Sequence, residues 1–173
     1  RAKRLITQDG CFSQYSVNYH RVMLDTFSMV EIWRTHQELP RFSTVFYERL
    51  SAAAVWLYSL VNADTGDAPN IGANDGARLL QLTDSDYRDY RPAVQLAMVL
   101  FERRVAYSDY GVWDEPLKWL RIVRPAESVC PPASLLVDNG GYAVLRAGKA
   151  MALLRYPRFR FRPSQADVLH LDL

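Results

Sequence analysis

Two polar, aromatic-rich stretches carry the groups on which chemistry could be built. The first runs Gln14-Tyr15-Ser16-Val17-Asn18-Tyr19-His20-Arg21. The second runs Asn70-Ile71-Gly72-Ala73-Asn74-Asp75-Gly76-Ala77-Arg78 and continues to Asp86-Tyr87-Arg88-Asp89-Tyr90-Arg91-Pro92. Together they set an amide, an imidazole, several phenols and guanidiniums at the entrances of two helices. Guanidiniums and amides can hold a carboxylate, and a phenol or an imidazole can carry a proton, so the set suits an acidic sugar.

Each of these residues also has a plainer reading. Asn18 could be a helix-capping residue. His20 shares a helix flank with Leu24, Phe27 and Glu31, where a histidine is most often structural. Tyr90 precedes Pro92 near a helix N-terminus with Arg88 and Arg91 beside it; positive charge and the helix dipole both favour phenolate there. Its plainer reading is a surface tyrosine stacked on arginine, and Tyr87 is its rival for the same role.

Other patterns point to less. The loop from Gly72 to Gly76 lacks the lysine of a phosphate-binding loop and the alternating oxygens of a calcium loop. Asp75, Asp84, Asp86, Asp114 and Glu115 could supply a carboxylate pair for glycoside hydrolysis, although solvated carboxylates are the default. The run Arg155-Tyr156-Pro157-Arg158-Phe159-Arg160-Phe161-Arg162 alternates base with aromatic in strand register. It would present an arginine row to a polyanion, or serve as a half-buried strand with a charged outer face.

The chain has 173 residues, 49% of them hydrophobic, enough for one sizeable core and a small appendage. A net charge of +2 provides no global basic field, which argues against nucleic acid. Cys11 and Cys130 are too few for a disulfide framework and fall in no metal-binding pattern, so a buried free thiol is expected. No apolar run reaches the roughly 18 to 20 residues that span a bilayer, so no membrane partner is expected. The chain begins at Arg1 and stops at Leu173 inside an alternating pattern, and it reads as a piece of a longer protein.

The elements that must position the polar groups are helices first and strands afterward. Ser16 to His36 reads as a helix with Ser16 as cap and Tyr19, Val22, Met23, Phe27 and Val30 as its apolar stripe. A second helix is expected from about Phe42 to Ala63, striped by Phe46, Leu50, Ala53, Ala54, Leu57 and Val61. Asp64 to Asp89 reads as a long, anchored, functional loop. Pro92 opens a third helix through about Ala106, and a short fourth covers Asp114 to Ile122. Beyond the Pro131-Pro132 linker the period drops to two, over Tyr142 to Arg146, Ala150 to Tyr156 and Val168 to Leu173, with a tight turn at Gly148-Lys149.

The two polar stretches, together with Asp9-Gly10, Pro69, Gly141-Tyr142-Ala143-Val144-Leu145-Arg146 and Gln165-Ala166-Asp167, resemble segments of the heparinase II/III-like polysaccharide lyases, particularly bacterial members. The resemblance implies a mainly α then β chain: the last helices of an (α/α) toroid (residues 1–130) joined to the first strands of an antiparallel β-sandwich (131–173). It implies cleavage of a uronic-acid-containing polysaccharide, such as a glycosaminoglycan, by β-elimination. In that chemistry a neutralising group pairs with the uronate carboxylate, a base removes the C5 proton, and an acid protonates the departing oxygen. Asn18 and His20 match the neutralising segment, and Tyr90 matches the tyrosine that serves as acid and also as base. Tyr19, Arg21, Asn74, Arg88, Arg91 and Gln165 are the expected substrate contacts.

The resemblance implies no cofactor and no metal, and a periplasmic or secreted setting. Unfinished sheet edges would allow pairing with a second copy of the chain. One departure stands out. Many active relatives place His-x-Asp where this chain has Gln165-Ala166-Asp167, and glutamine cannot take a proton. Either Tyr90 carries both transfers, or His170 substitutes, or this branch binds without cleaving. A noncatalytic acidic-glycan binding or assembly protein is therefore the alternative, and a toroid glycoside hydrolase using Asp75 and Asp86 is a third.

Overall fold

Apolar residues at helical spacing and a run of glycine-punctuated strands give helices followed by a sheet. The computed structural model describes residues 2–130, 133–156, 158 and 169–173. Its elements are α1 (Ala2–Leu5), α2 (Val17–His36), α3 (Thr44–Leu60), α4 (Arg91–Phe101), a 3₁₀ turn (Val112–Asp114), α5 (Glu115–Trp119), β1 (Leu135–Val137), β2 (Tyr142–Ala147), β3 (Ala150–Arg155) and β4 (His170–Asp172). The four strands form one antiparallel sheet in the order β1-β2-β3-β4.

Ser16 caps α2: its backbone is extended, and its hydroxyl accepts from the Tyr19 N–H at 3.1 Å. Asn18 is therefore inside the helix. The buried side of α2 differs from the expected stripe. Val30 is exposed and Tyr19 and Val22 are half-buried, whereas Asn18, His20, Arg21, Asp25, Ser28 and Glu31 all face inward with Met23 and Leu24. Spacing alone cannot reveal this, because a polar side chain goes inside only when distant segments supply its partners.

In α3 the expected face does pack: Leu50, Ala53, Ala54 and Leu57 are buried, with Phe46 against them. The alanine run lets another segment come close. A Cβ on Gly10 would lie 2.2 Å from the Ala52 carbonyl oxygen. On α4 the buried face comprises Val94, Ala97, Met98 and Phe101.

Sheet and helices share one core, in which Val137, Tyr142, Val144 and Leu153 pack in the same cluster as Leu24, Leu50, Trp56 and Met98. Arg155 pins the two layers together. It is fully buried, donates through Nη1 to the carbonyls of Gly140 and Gly141 at 2.6 and 2.8 Å, and stacks over Tyr142 and Tyr15. Its inward placement departs from both readings of a solvent-facing arginine row at that position; residues 159–162 of that run lie outside the described residues.

Among the described residues, the sheet's other face carries exposed leucines. Leu136, Ala143, Leu154 and Leu171 stand opposite one another across the four strands, and Leu145 pairs with Ala152 beside them. Leu136, Leu145, Leu154 and Leu171 are 64%, 64%, 40% and 59% exposed. Cys11 is buried and free, as expected, while the other free thiol, Cys130, is exposed.

Candidate functional site

The two polar stretches meet at the N-terminus of α2. The Val17 N–H donates to the Ile71 carbonyl at 3.1 Å, and the Ser16 hydroxyl donates to the Ala73 carbonyl at 2.6 Å. Between them Gly72 adopts φ +75°, and a Cβ there would lie 2.3 Å from the Tyr15 carbonyl oxygen. Only glycine fits that approach.

Arg21 fastens the far end of the loop. Its Nη1 donates to the Tyr87 carbonyl at 2.6 Å and its Nη2 to Asn18 Oδ1 at 2.7 Å. The guanidinium carbon lies 4.5 Å from the Tyr87 ring centre and 4.3 Å from that of Tyr90, so the cation rests between two aromatic faces.

Above Arg21 the loop encloses a cleft of about 180 Å³ lined by Asp67, Ala68, Asn70, Asn74, Tyr87, Arg88 and Tyr90. Its rim is held by a chain of hydrogen bonds. The Tyr87 hydroxyl donates to Asn74 Oδ1 at 2.6 Å, and Asn74 Nδ2 donates to Asn70 Oδ1 at 2.7 Å. Arg88 pairs with Asp67 at 2.6 Å in a largely solvent-facing ion pair. Asp67, Asn70 and Arg88 also border a larger hollow of about 700 Å³ against the sheet, which adds Arg146, Lys149 and Met151. The small cleft and the large hollow are thus adjoining spaces with Arg88 between them.

Asn74, Arg88 and Tyr90 are brought together in this cleft. Tyr19 does not line it, its hydroxyl donating instead to Asp75 Oδ2 at 2.6 Å, and Arg21 lies against the rings of Tyr87 and Tyr90. Arg91 is turned away: it pairs with Asp89 at 2.9 Å, bonds the carbonyls of Ala63 and Asp64, and stacks on Trp113. Gln165 lies outside the described residues. His170 is on β4 opposite Arg155 in register, not in the cleft.

Asn18, His20 and Tyr90 are only 2%, 1% and 3% exposed. Asn18 Oδ1 is occupied by Arg21, and its Nδ2 is buried without a partner among the described residues. His20 points into the helix layer, with Nε2 at 2.9 Å from the Ala53 carbonyl and the ring stacked 4.3 Å from Trp56. It does not line the cleft with Tyr90, and burial pushes its pKa down to about 4, so the imidazole is neutral at ordinary pH. Tyr90 also corrects the sequence-based expectation: burial raises its phenol pKa, outweighing the opposing pull of Arg21.

Residues missed in the sequence are Asp67, three positions before the second stretch, and Asp25, while Asn70 belongs to that stretch without being among the expected contacts. The signal for Asp67 is adjacency to the motif, and for Asp25 position on the helical face of Arg21. Asp25 is buried on α2, accepts from the Leu80 N–H at 3.4 Å, and is pushed up to about 7 by burial, with Arg21 and Arg78 pulling it back. The hydrolase pair finds little footing. Asp75 is held below its ordinary value by the Tyr19 phenol, whereas a glycosidase acid needs a raised pKa.

Among the described residues no group of three or more His, Cys, Asp or Glu side chains is placed to hold a metal, and no helix is long and apolar enough to cross a membrane. No family model, curated protein or solved structure matches the chain.

Proposed function

We propose that this chain is part of a polysaccharide lyase of the heparinase II/III-like kind, and that the cleft above Arg21 receives a uronate ring. The observation that carries this reading is the convergence of Asn74, from the middle of the loop, with Tyr87, Arg88 and Tyr90, from its end, on one opening. Arg88 has an exposed guanidinium whose present partner, Asp67, is a carboxylate, so a sugar carboxylate would replace like with like. Pairing there lowers the cost of developing charge on the uronate as its C5 proton leaves.

Proton transfer falls to Tyr87 in this account. Its hydroxyl is at the rim, whereas the Tyr90 phenol is buried and raised in pKa, which makes Tyr90 a floor under the sugar. Once the Tyr87 hydroxyl has given its proton to solvent, its phenolate oxygen takes the C5 proton, the C4–O bond breaks as the C4–C5 double bond forms, and the departing oxygen takes that proton back from the phenol, which restores the phenolate. Asn18 and His20 act from behind: Asn18 positions Arg21, and His20 fixes α2 on α3.

The proposed architecture follows the same family. A face of leucine and alanine this broad is covered in a β-sandwich by a second sheet, which supports the sandwich reading, and α2 through α4 would be toroid helices. A noncatalytic acidic-glycan binder is the second reading, favoured by the burial of His20, the imidazole of the first stretch.

Incubation with alginate, heparan-type and bacterial acidic glycans separates these. The lyase reading expects ultraviolet-absorbing unsaturated uronate ends. New reducing ends without that absorbance would make the protein a hydrolase, and retention of the glycan with neither product would make it a binder.

A further inference from the structure

A second hollow lies away from the cleft, where α5 meets the loop after Leu80. It has a volume of about 480 Å³ and is lined by Gln81, Leu82, Thr83, Asp84, Glu115 and Trp119. Its size falls within the usual range of small-ligand sites.

Both walls are held in place from within. Trp119 is 70% exposed, yet α5 is anchored by buried Leu117 and by Asp114, which accepts from Gln95 Nε2 at 2.7 Å and from Arg124 Nε at 3.0 Å. On the opposite wall, buried Thr83 receives Arg78 Nη2 at 3.3 Å and the Ser85 N–H at 3.2 Å, which fixes the turn that presents Asp84. Glu115 and Trp119 are four residues apart on α5 and so share a face. The indole and the two carboxylates are thus displayed on ordered backbone.

We propose that this hollow is a binding site for a cationic amino sugar, with the pyranose ring laid on Trp119 and its ammonium group held by Asp84 and Glu115. An exposed indole attracts both the apolar C–H face of a sugar and a cation, and it is the best aromatic partner for the latter. Two carboxylates beside it select positive charge and repel a uronate, and Gln81 supplies an amide for ring hydroxyls. A neutral N-acetylated sugar would keep the stacking and lose the charge-assisted bonds. This site shares no lining residue with the uronate cleft and does not depend on the lyase reading.

The test is a calorimetric titration with glucosamine oligosaccharides, their N-acetylated counterparts, oligogalacturonate and an oligolysine peptide. The glucosamine oligomers bind; N-acetylation weakens binding by about tenfold or more. Trp119→Ala abolishes the heat, and Asp84→Asn with Glu115→Gln reduces affinity to that of the acetylated sugar. Oligogalacturonate titrates Trp119→Ala and the parent protein alike. The proposal fails if glucosamine oligomers do not bind, if acetylated and free sugars bind equally, if oligolysine binds as well as the sugar, or if Trp119→Ala retains affinity. Trp119→Phe and circular dichroism spectra of every variant separate loss of the platform from loss of the fold.

Discussion

Arg21 Nη1 donates to the backbone carbonyl of Tyr87 at 2.6 Å, a single bond that joins the first turns of α2 to a loop 66 residues further on. The guanidinium is buried, and its other hydrogen-bond partners are Asn18 Oδ1 at 2.7 Å and, more distantly, the Ala77 carbonyl at 3.5 Å. A buried cation held this way orders everything around it, because each lost bond leaves a desolvated group behind. The cleft therefore owes its shape to α2.

Asn18→Ala removes one of Arg21's acceptors and is expected to destabilise the protein by about 1–3 kcal/mol, read as a lower urea midpoint. Ser16→Ala costs about 1 kcal/mol separately, since Ser16 is the helix cap. Full stability in Asn18→Ala together with lost turnover would place Asn18 against substrate instead.

Gly72 and Gly76 differ in a way that mutation can read. Both have positive φ, but a Cβ on Gly72 collides with the Tyr15 carbonyl while a Cβ on Gly76 meets nothing within 4 Å. Gly76→Ala should cost about 1 kcal/mol from backbone conformation alone, and Gly72→Ala should cost at least about twice that. Equal losses would mean that the loop is not pressed against the start of α2.

Two buried groups give opposing pH dependences. His20 titrates at about 4 in the fold against an ordinary 6.5, so its contribution is complete above 6.5 and is lost as the pH falls toward 4. Asp25 titrates at about 7 against an ordinary 3.8, so its contribution is present at low pH and lost as the pH rises through 7. Between 4 and 6.5 the slopes offset each other. Asp25→Asn keeps an acceptor for the Leu80 N–H and removes the second slope. It should be more stable than the parent above pH 7, by on the order of 2–4 kcal/mol, and should lose stability on acidification below 6.5. Chemical denaturation across pH 4 to 8 checks both; parallel curves would contradict the assignment.

Tyr87→Phe is expected to lower turnover by about a hundredfold or more, the size of a lost proton-transfer group, while Tyr90→Phe leaves most of it. Initial rates of unsaturated-uronate formation decide this. The reverse order would return the role to Tyr90.

Local signals are what the sequence displays clearly. The Ser16 cap, the alanine-lined stripe of α3, Pro92 at the start of α4 and the Gly148-Lys149 turn each depend on neighbours a few residues away, and each is present in the fold. The strand β1 has only three residues, too few for a period to register. The polar inner face of α2 and the inward Arg155 are illegible for another reason: their partners, among them Tyr87 and Gly140, are far along the chain. Asn74, Arg88 and Tyr90 could be picked out as polar loop residues near one motif, but the division between an exposed Tyr87 hydroxyl and a buried Tyr90 phenol depends on tertiary packing.

The most direct test is a nitrogen-15 NMR titration with a saturated uronate oligosaccharide, following side-chain signals of Asn74 and Arg88 together with the Tyr87 and Gly76 backbone amides. The account expects these signals to shift together with one affinity, and Arg88→Gln to abolish the shifts while the spectrum remains that of a folded protein. Shifts confined to other parts of the molecule, or undiminished binding in Arg88→Gln, would contradict it.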